Sequence, residues 1–354
     1  MTFNDDEPLL GRLQAMHAFD PAPLRSGLHG FHVPFDQILG GQATEAGLSR
    51  AIKAMERVAV VGRSGVGKTS VIWHVLDPLS DEYAAVRVPV AAEDEETITS
   101  PQRFAEHLLG SVARQLRDAR LIDDRTRTAF LQGGGAELTL TARRSRQVGL
   151  GFAKWLLNAE VTSQMEGIVT STARRGAAEV LDQAGQVVDV LARMGWIPVI
   201  VIDDSDAWLR TSGGDRRSFV GPFFGGIIRL LAEELSAALV VAVHEDYLEM
   251  AAFKDSAGFL EQHILVPRLP TQEALAYVVA ARVGAITGEV AHPSLLKAVM
   301  EDEALAVLFT HYAASTGSLR RVLLIVHSAL QLARDDESDV ITAGHIAAAG
   351  ALDT

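Results

Sequence analysis

The chain has 354 residues, 48% of them hydrophobic, and a formal net charge of −13. That length and apolar share support two or three compact units with a sizeable buried core, and the acidic balance argues against a surface that binds nucleic acid indiscriminately. With no cysteine, disulfides, thiolate catalysis and cysteine-ligated zinc are excluded, which suits a reducing cytoplasm; the opening MTFNDDEPLL has neither the basic nor the apolar region of a signal peptide.

Residues 1–45 scatter Pro, Gly and aromatics without sustained periodicity and read as an arm with at most short helices. In LHGFHVPFD, His29 and His32 have no third ligand nearby, which favours packing over metal binding. A short amphipathic helix from Glu45 to Met55 leads into a strand at 58–61. The strand runs into GRSGVGKTS, where Gly62, Gly67, Lys68 and Thr69 fit the phosphate-binding loop G-x-x-x-x-G-K-[ST] between a strand and a helix. Glycines at 62, 65 and 67 permit positive φ, so successive amides can turn inward toward phosphate oxygens. The cradle expected to hold ATP is therefore Gly62, Arg63, Ser64, Gly65, Val66, Gly67, Lys68, Thr69 and Ser70. Lys68 supplies charge near the β- and γ-phosphates, and Thr69 offers a hydroxyl to Mg2+.

A second strand is expected near 84–91. The next strong one comes only at Val199–Ile202, a separation far beyond an ordinary crossover, so an insertion is placed at about 101–195. Within it, AELTLTARRSRQVGLGF (136–152) alternates as a β-hairpin with Arg143, Arg144 and Arg146 at its tip. Six cations against Glu160 and Glu166 make residues 139–175 +4 and the remainder −17. The tip is a candidate contact for DNA or an acidic partner, beside the plainer reading of a solvated insert. Trp155 is an interface or core residue, and a helix over about 172–194 returns the chain to the sheet.

Val199–Ile202 is a continuous apolar run, as in a strand buried on both faces, and ends in Asp203 and Asp204. Asp203 is placed to organise magnesium and Asp204 to orient the attacking water. The stretch Phe223–Val243 carries Arg229, Glu233 and Glu234, so it reads as a buried helix and strand rather than a membrane span. A strand is set at 238–246. After about residue 270 only helices follow: Thr271 to about Val283, Pro293–Met300, Asp302–Ser315, Ser318–Arg334 and Thr342–Ala349. The fold class is α/β: a parallel-sheet P-loop ATPase domain (46–270) with helices on both faces, behind an N-terminal arm (1–45) and before a small all-helical lid (271–354).

In order, GRSGVGKTS, VIVIDDSDAWL, LVVAVHED and TGSLRR resemble the AAA+ ATPases, in particular their initiator-like, origin-recognition branch and the related signal-transducing switches. The resemblance spans about 38–350. It implies a polar first sensor at His244 and a second sensor at Arg320, which reaches from the lid to the γ-phosphate. It also implies an ATP-dependent homo-oligomer. Asp204 stands where the family has glutamate, one methylene longer, which implies slow hydrolysis. Residues 247–264 contain no arginine, so the usual intersubunit finger is missing there; Lys254, or Arg216 and Arg217, are candidate substitutes, beside the plainer reading of surface salt bridging. Since the chain stops near the lid, the effector is expected to be another protein. The leading expectation is an ATP-driven switch; the alternatives are a DNA-bound ATPase that loads or regulates a helicase, transposase or nuclease, and a nucleotide-bound scaffold without turnover.

Overall fold

The computed structural model describes residues 8–20, 31–40, 43–90, 95–118, 195–203, 205 and 219–352, with isolated helical positions at 185, 188, 189 and 192. The basic hairpin with Arg143, Arg144 and Arg146, as well as His29, Trp155, Asp204, Arg216, Arg217 and most of the helix expected over 172–194, lie outside the described residues. The chain forms two compact units. One comprises Gly47–Val61 and Val75–Leu265; the other comprises Met1–Ala46, Gly62–His74 and Val266–Thr354.

The first of these is built on five parallel strands: β1 (Arg57–Val61), β2 (Tyr83–Pro89), β3 (Ile197–Asp203), β4 (Ala238–Val243) and β5 (Gln262–Leu265), in the order β2-β3-β4-β1-β5. Parallel strands need crossovers, and the crossover helices cover the sheet, so interior strands are apolar on both faces. Val58, Ala59, Val60 and Val61 are all fully buried, as is nearly all of AlaLeuValValAlaVal in β4. Alternate residues divide between two faces: Ala59, Val61, Ile200, Ile202, Val241 and Val243 join one cluster with an aromatic group. In that group Phe224 meets Phe223, Tyr247 and Phe253 edge-on, at ring separations of 5.1, 5.8 and 4.7 Å.

Two short helices, α1 (Leu9–Ala15) and α2 (Phe35–Leu39), precede α3 (Thr44–Lys53), and α4 (Lys68–Leu76) follows the glycine loop. After β2 come α5 (Glu95–Thr99) and α6 (Pro101–Asp118). Although it lies in the stretch read as inserted, α6 buries Phe104, Ala105 and Leu108 in the same core as β2. A π-helical turn, Pro222–Ile228, continues into α7 (Arg229–Glu234) and buries Phe223, Phe224, Ile227 and Ile228. A Cβ on Gly225 would meet Ser256 Cβ at 2.8 Å, so glycine there lets α8 (Ala251–Ser256) approach.

The expected strand at 238–246 ends at Val243: His244 caps a 3-10 turn over Glu245–Glu249, accepting the Asp246 amide at 3.2 Å. β5 was not expected. It is a four-residue edge strand whose exposure alternates, with Leu265 60% exposed, so it lacks the apolar run of an interior strand.

In the other unit, α9 (Gln272–Thr287), a 3-10 helix over Pro293–Ala298, α10 (Asp302–Ala314), α11 (Leu319–Asp335) and α12 (Ala343–Leu352) form the helical part. Thr271 and Ser318 cap α9 and α11. The N-terminal segment packs here: Leu13 and Phe19 are fully buried, and Arg282 of α9 donates to the Ala18 and Asp20 carbonyls at 3.2 and 3.1 Å and covers the Phe31 ring. Burial pulls that guanidinium down to about 10, against the pull of Asp20. Among the described residues, no helix is long and apolar enough to cross a membrane.

Candidate functional site

Parallel pairing aligns the carboxyl ends of the strands. Val61 is in register with Val243, and Pro89 with Asp203. Ligands of open parallel sheets bind beyond this edge; Asp203 is the last residue of β3 and His244 directly follows β4, while Gly62 follows Val61 in the chain.

Residues 62–70 form a tight loop entering α4. Gly65 and Gly67 have φ of +76° and +112°, values that turn amides inward and exclude side chains. A Cβ on Gly62 would lie 2.8 Å from Val66 Cγ1. Val66 is buried and anchors the loop, and the Val71 amide reaches the Gly67 carbonyl at 3.0 Å to start the helix. Lys68 is only 6% exposed; its Nζ curls back to donate to the Gly62 and Arg63 carbonyls at 2.8 and 2.9 Å. A buried ammonium held over inward-turned amides, at the start of a helix, is suited to polyphosphate. Arg63, Ser64, Thr69 and Ser70 are half-buried.

The helical lid touches this loop. The Leu319 and Arg320 amides at the start of α11 donate to the Gly65 carbonyl at 2.9 and 3.3 Å, and a Cβ on Gly65 would meet Ser318 Oγ at 2.5 Å. Arg320 thus meets the loop through its backbone, while its side chain is exposed.

Asp203 is 1% exposed and receives two bonds on Oδ2 from Arg87, at 3.0 Å from Nε and 2.8 Å from Nη2. Its carbonyl accepts the Val90 amide at 3.0 Å. Arg87 is paired with Val201 in register, two residues before Asp203 and hence on the same face. The sequence reading missed Arg87; its signal was one charge inside AlaAlaValArgValPro. Beyond Asp204, Ser205 is fully buried, donating to the Ala242 carbonyl and accepting on its own carbonyl from Tyr247 at 3.3 Å, which ties β3 to β4. The His244 side chain is 12% exposed, with Nδ1 3.5 Å from Asp246 Oδ2.

The sequence reading also missed a polar cluster beside the loop. His32 links Ser70 Oγ (2.9 Å from Nδ1) to Glu45 Oε1 (3.0 Å from Nε2). Burial alone would raise the Glu45 carboxyl, but the His32 ring and the Phe35 and Asp36 groups outweigh it and hold it down to about 2. Asp36 moves the other way, raised by burial and by the neighbouring Glu45. No group of side chains able to hold a metal ion occurs among the described residues.

No family model matches the chain, and no curated protein matches it. Solved structures similar to it include the ORC1 protein of Aeropyrum pernix in complex with DNA, at 16% identity and a TM-score of 0.49, covering 90% of this chain and 65% of that one. Drosophila ORC bound to DNA gives 16%, 0.47, 99% and 68%. The ORC2 protein of Aeropyrum pernix, in ADPNP–ADP complexes, gives 12%, 0.49, 87% and 66%. The chain spans about two thirds of the length of each. Its own sheet order, the glycine loop after β1, the acidic end of β3 and the helices after β5 give the chain an α/β fold, a parallel-sheet P-loop ATPase domain followed by a helical lid.

Proposed function

We propose that the chain is a cytoplasmic, ATP-binding and slowly hydrolysing switch of the AAA+ type that controls a partner protein or a nucleoprotein assembly. The observation that carries this is the phosphate loop itself: Gly65 and Gly67 in left-handed backbone, with Lys68 folded over the loop carbonyls at the start of α4. A loop that only joined a strand to a helix would not need a buried ammonium.

In this reading the loop amides and Lys68 hold the phosphates of ATP, and Thr69 and Asp203 take Mg2+. The metal, when bound, supplies charge neutralisation at the phosphates. Asp204 orients water, and its short side chain keeps turnover slow. His244 and Arg320 report the state of the nucleotide. The α11 amides on Gly65 give the lid a direct hold on the loop, so a change in loop geometry is felt by the lid. A DNA-bound ATPase is the second reading, favoured by the +4 charge of residues 139–175 within an acidic chain.

ATP binding by calorimetry and phosphate release, with and without DNA, test the proposal. Wild type should bind ATP with magnesium and release phosphate slowly. Lys68→Ala should weaken binding by about tenfold or more, the loss of a charge-assisted contact. Wild-type affinity in a folded Lys68→Ala protein refutes the nucleotide site; tight binding with no phosphate release leaves the scaffold.

A further inference from the structure

The His32 side chain is 5% exposed and both ring nitrogens are engaged, Nε2 with Glu45 and Nδ1 with Ser70. Glu45 is itself fixed. Its Oε1 accepts the Phe35 amide at 2.8 Å and its Oε2 the Asp36 amide at 3.2 Å, while Asp36 accepts the Thr44 and Ala46 amides at 2.8 and 3.1 Å. Helices α2 and α3 thus exchange carboxylates at their N-termini, where unpaired amides and the helix dipole favour negative charge. His74, one turn after Ser70 on α4, packs against His32 with ring centroids 4.4 Å apart and planes tilted by 37°.

An ionised carboxylate beside Nε2 sets the proton of the neutral ring there, leaving Nδ1 to accept the Ser70 hydroxyl. A histidine that merely filled space would need one partner. This one joins a rigid pair of helix N-termini to the residue directly after Thr69. The hydroxyl of Ser70 faces His32, so Ser70 acts as a link.

We propose that His32 is a positioning residue of the phosphate loop: through Ser70 it fixes the first turn of α4, and with it Lys68 and Thr69, for the phosphates of a nucleoside triphosphate. The inference rests on the nucleotide reading above and makes residues 31–46 part of that site's machinery. Loss of the link leaves the first turn of α4 free to rotate Lys68 and Thr69 away from the geometry that phosphate binding needs.

The test is titration of a fluorescent ATP analogue with magnesium into the full chain carrying His32→Ala, His32→Asn, His32→Gln, Ser70→Ala, or His32→Ala with Ser70→Ala. Asparagine places its amide near the Nδ1 position and keeps the reach to Ser70; glutamine places its amide near Nε2 and keeps only the reach to Glu45. His32→Ala and Ser70→Ala should each bind about tenfold more weakly, and the double variant no more weakly than either, as for two ends of one bond. His32→Asn should return to within about threefold of wild type, and His32→Gln should stay as weak as alanine. Equal affinities for the asparagine and glutamine variants, additive losses, or no losses at all overturn the proposal. If His32→Ala does not fold, Ser70→Ala and the asparagine–glutamine pair still decide it. Wild type that fails to bind, or Lys68→Ala that binds normally, overturns the nucleotide reading and this inference together. Weakened binding by Lys68→Ala together with unaffected His32 variants overturns this inference alone.

Discussion

Lys68, Asp203 and Glu45 are charged groups that are almost completely buried, and each persists because something specific compensates it. Lys68 has two carbonyls, Asp203 has Arg87, and Glu45 has two amides and a histidine. The Glu45 cluster makes a prediction about acid. Its carboxyl sits at about 2 in the folded chain, below its ordinary 4.5, so its contribution to stability is complete above about pH 4.5 and is lost as pH falls toward 2. Asp36, shifted upward, opposes part of that loss. Chemical unfolding across pH 7 to 2.5 should show stability falling within this window. Glu45→Gln should be less stable at neutral pH and should fall less steeply; an equal slope would mean that Glu45 contributes nothing to the pH dependence.

At the scale of elements, the glycine loop belongs to two contexts, the strand it leaves and the lid helix that caps it. The N-terminal amides of α11 would lack partners within their own helix, and two of them find the Gly65 carbonyl. Gly65→Ala meets a double obstacle, a φ of +76° and Ser318 Oγ 2.5 Å from the new Cβ. Left-handed backbone alone costs an L-residue about 1–2 kcal/mol, and relief of the clash must move the loop or α11. The expected result is a lower unfolding midpoint together with weaker ATP binding. A variant equal to wild type in both measurements would show that the α11 contact is not maintained in solution.

The whole molecule divides its charge unevenly, +4 over residues 139–175 and −17 elsewhere. The acidic remainder repels a polyanion, so any affinity for DNA must be concentrated on the basic stretch. If Arg143, Arg144 and Arg146 each neutralise one phosphate, changing all three to alanine should make the salt dependence of DNA binding shallower by about 0.7 to 0.9 per arginine. Binding measured over a salt series with ATP present checks this. An unchanged slope removes DNA from the basic stretch and leaves an acidic protein partner or a solvated insert.

The sequence by itself determined what depends on local pattern. The glycine loop, the apolar runs of β1, β3 and β4, the acidic end of β3 and the lid helices α9 to α12 were legible because interior parallel strands are continuously apolar and helices announce their caps. Tertiary structure alone decided what depends on pairing between distant residues. β5 is an alternating edge strand too short to stand out, and the end of β4 is set by the side chain of His244 competing for a backbone amide. Arg87 meets Asp203 across 116 positions and His32 meets Ser70 across 38. Nothing in the identity of an arginine or a histidine names its partner; only the register of the sheet and the packing of the N-terminal segment bring each charge to the group that satisfies it.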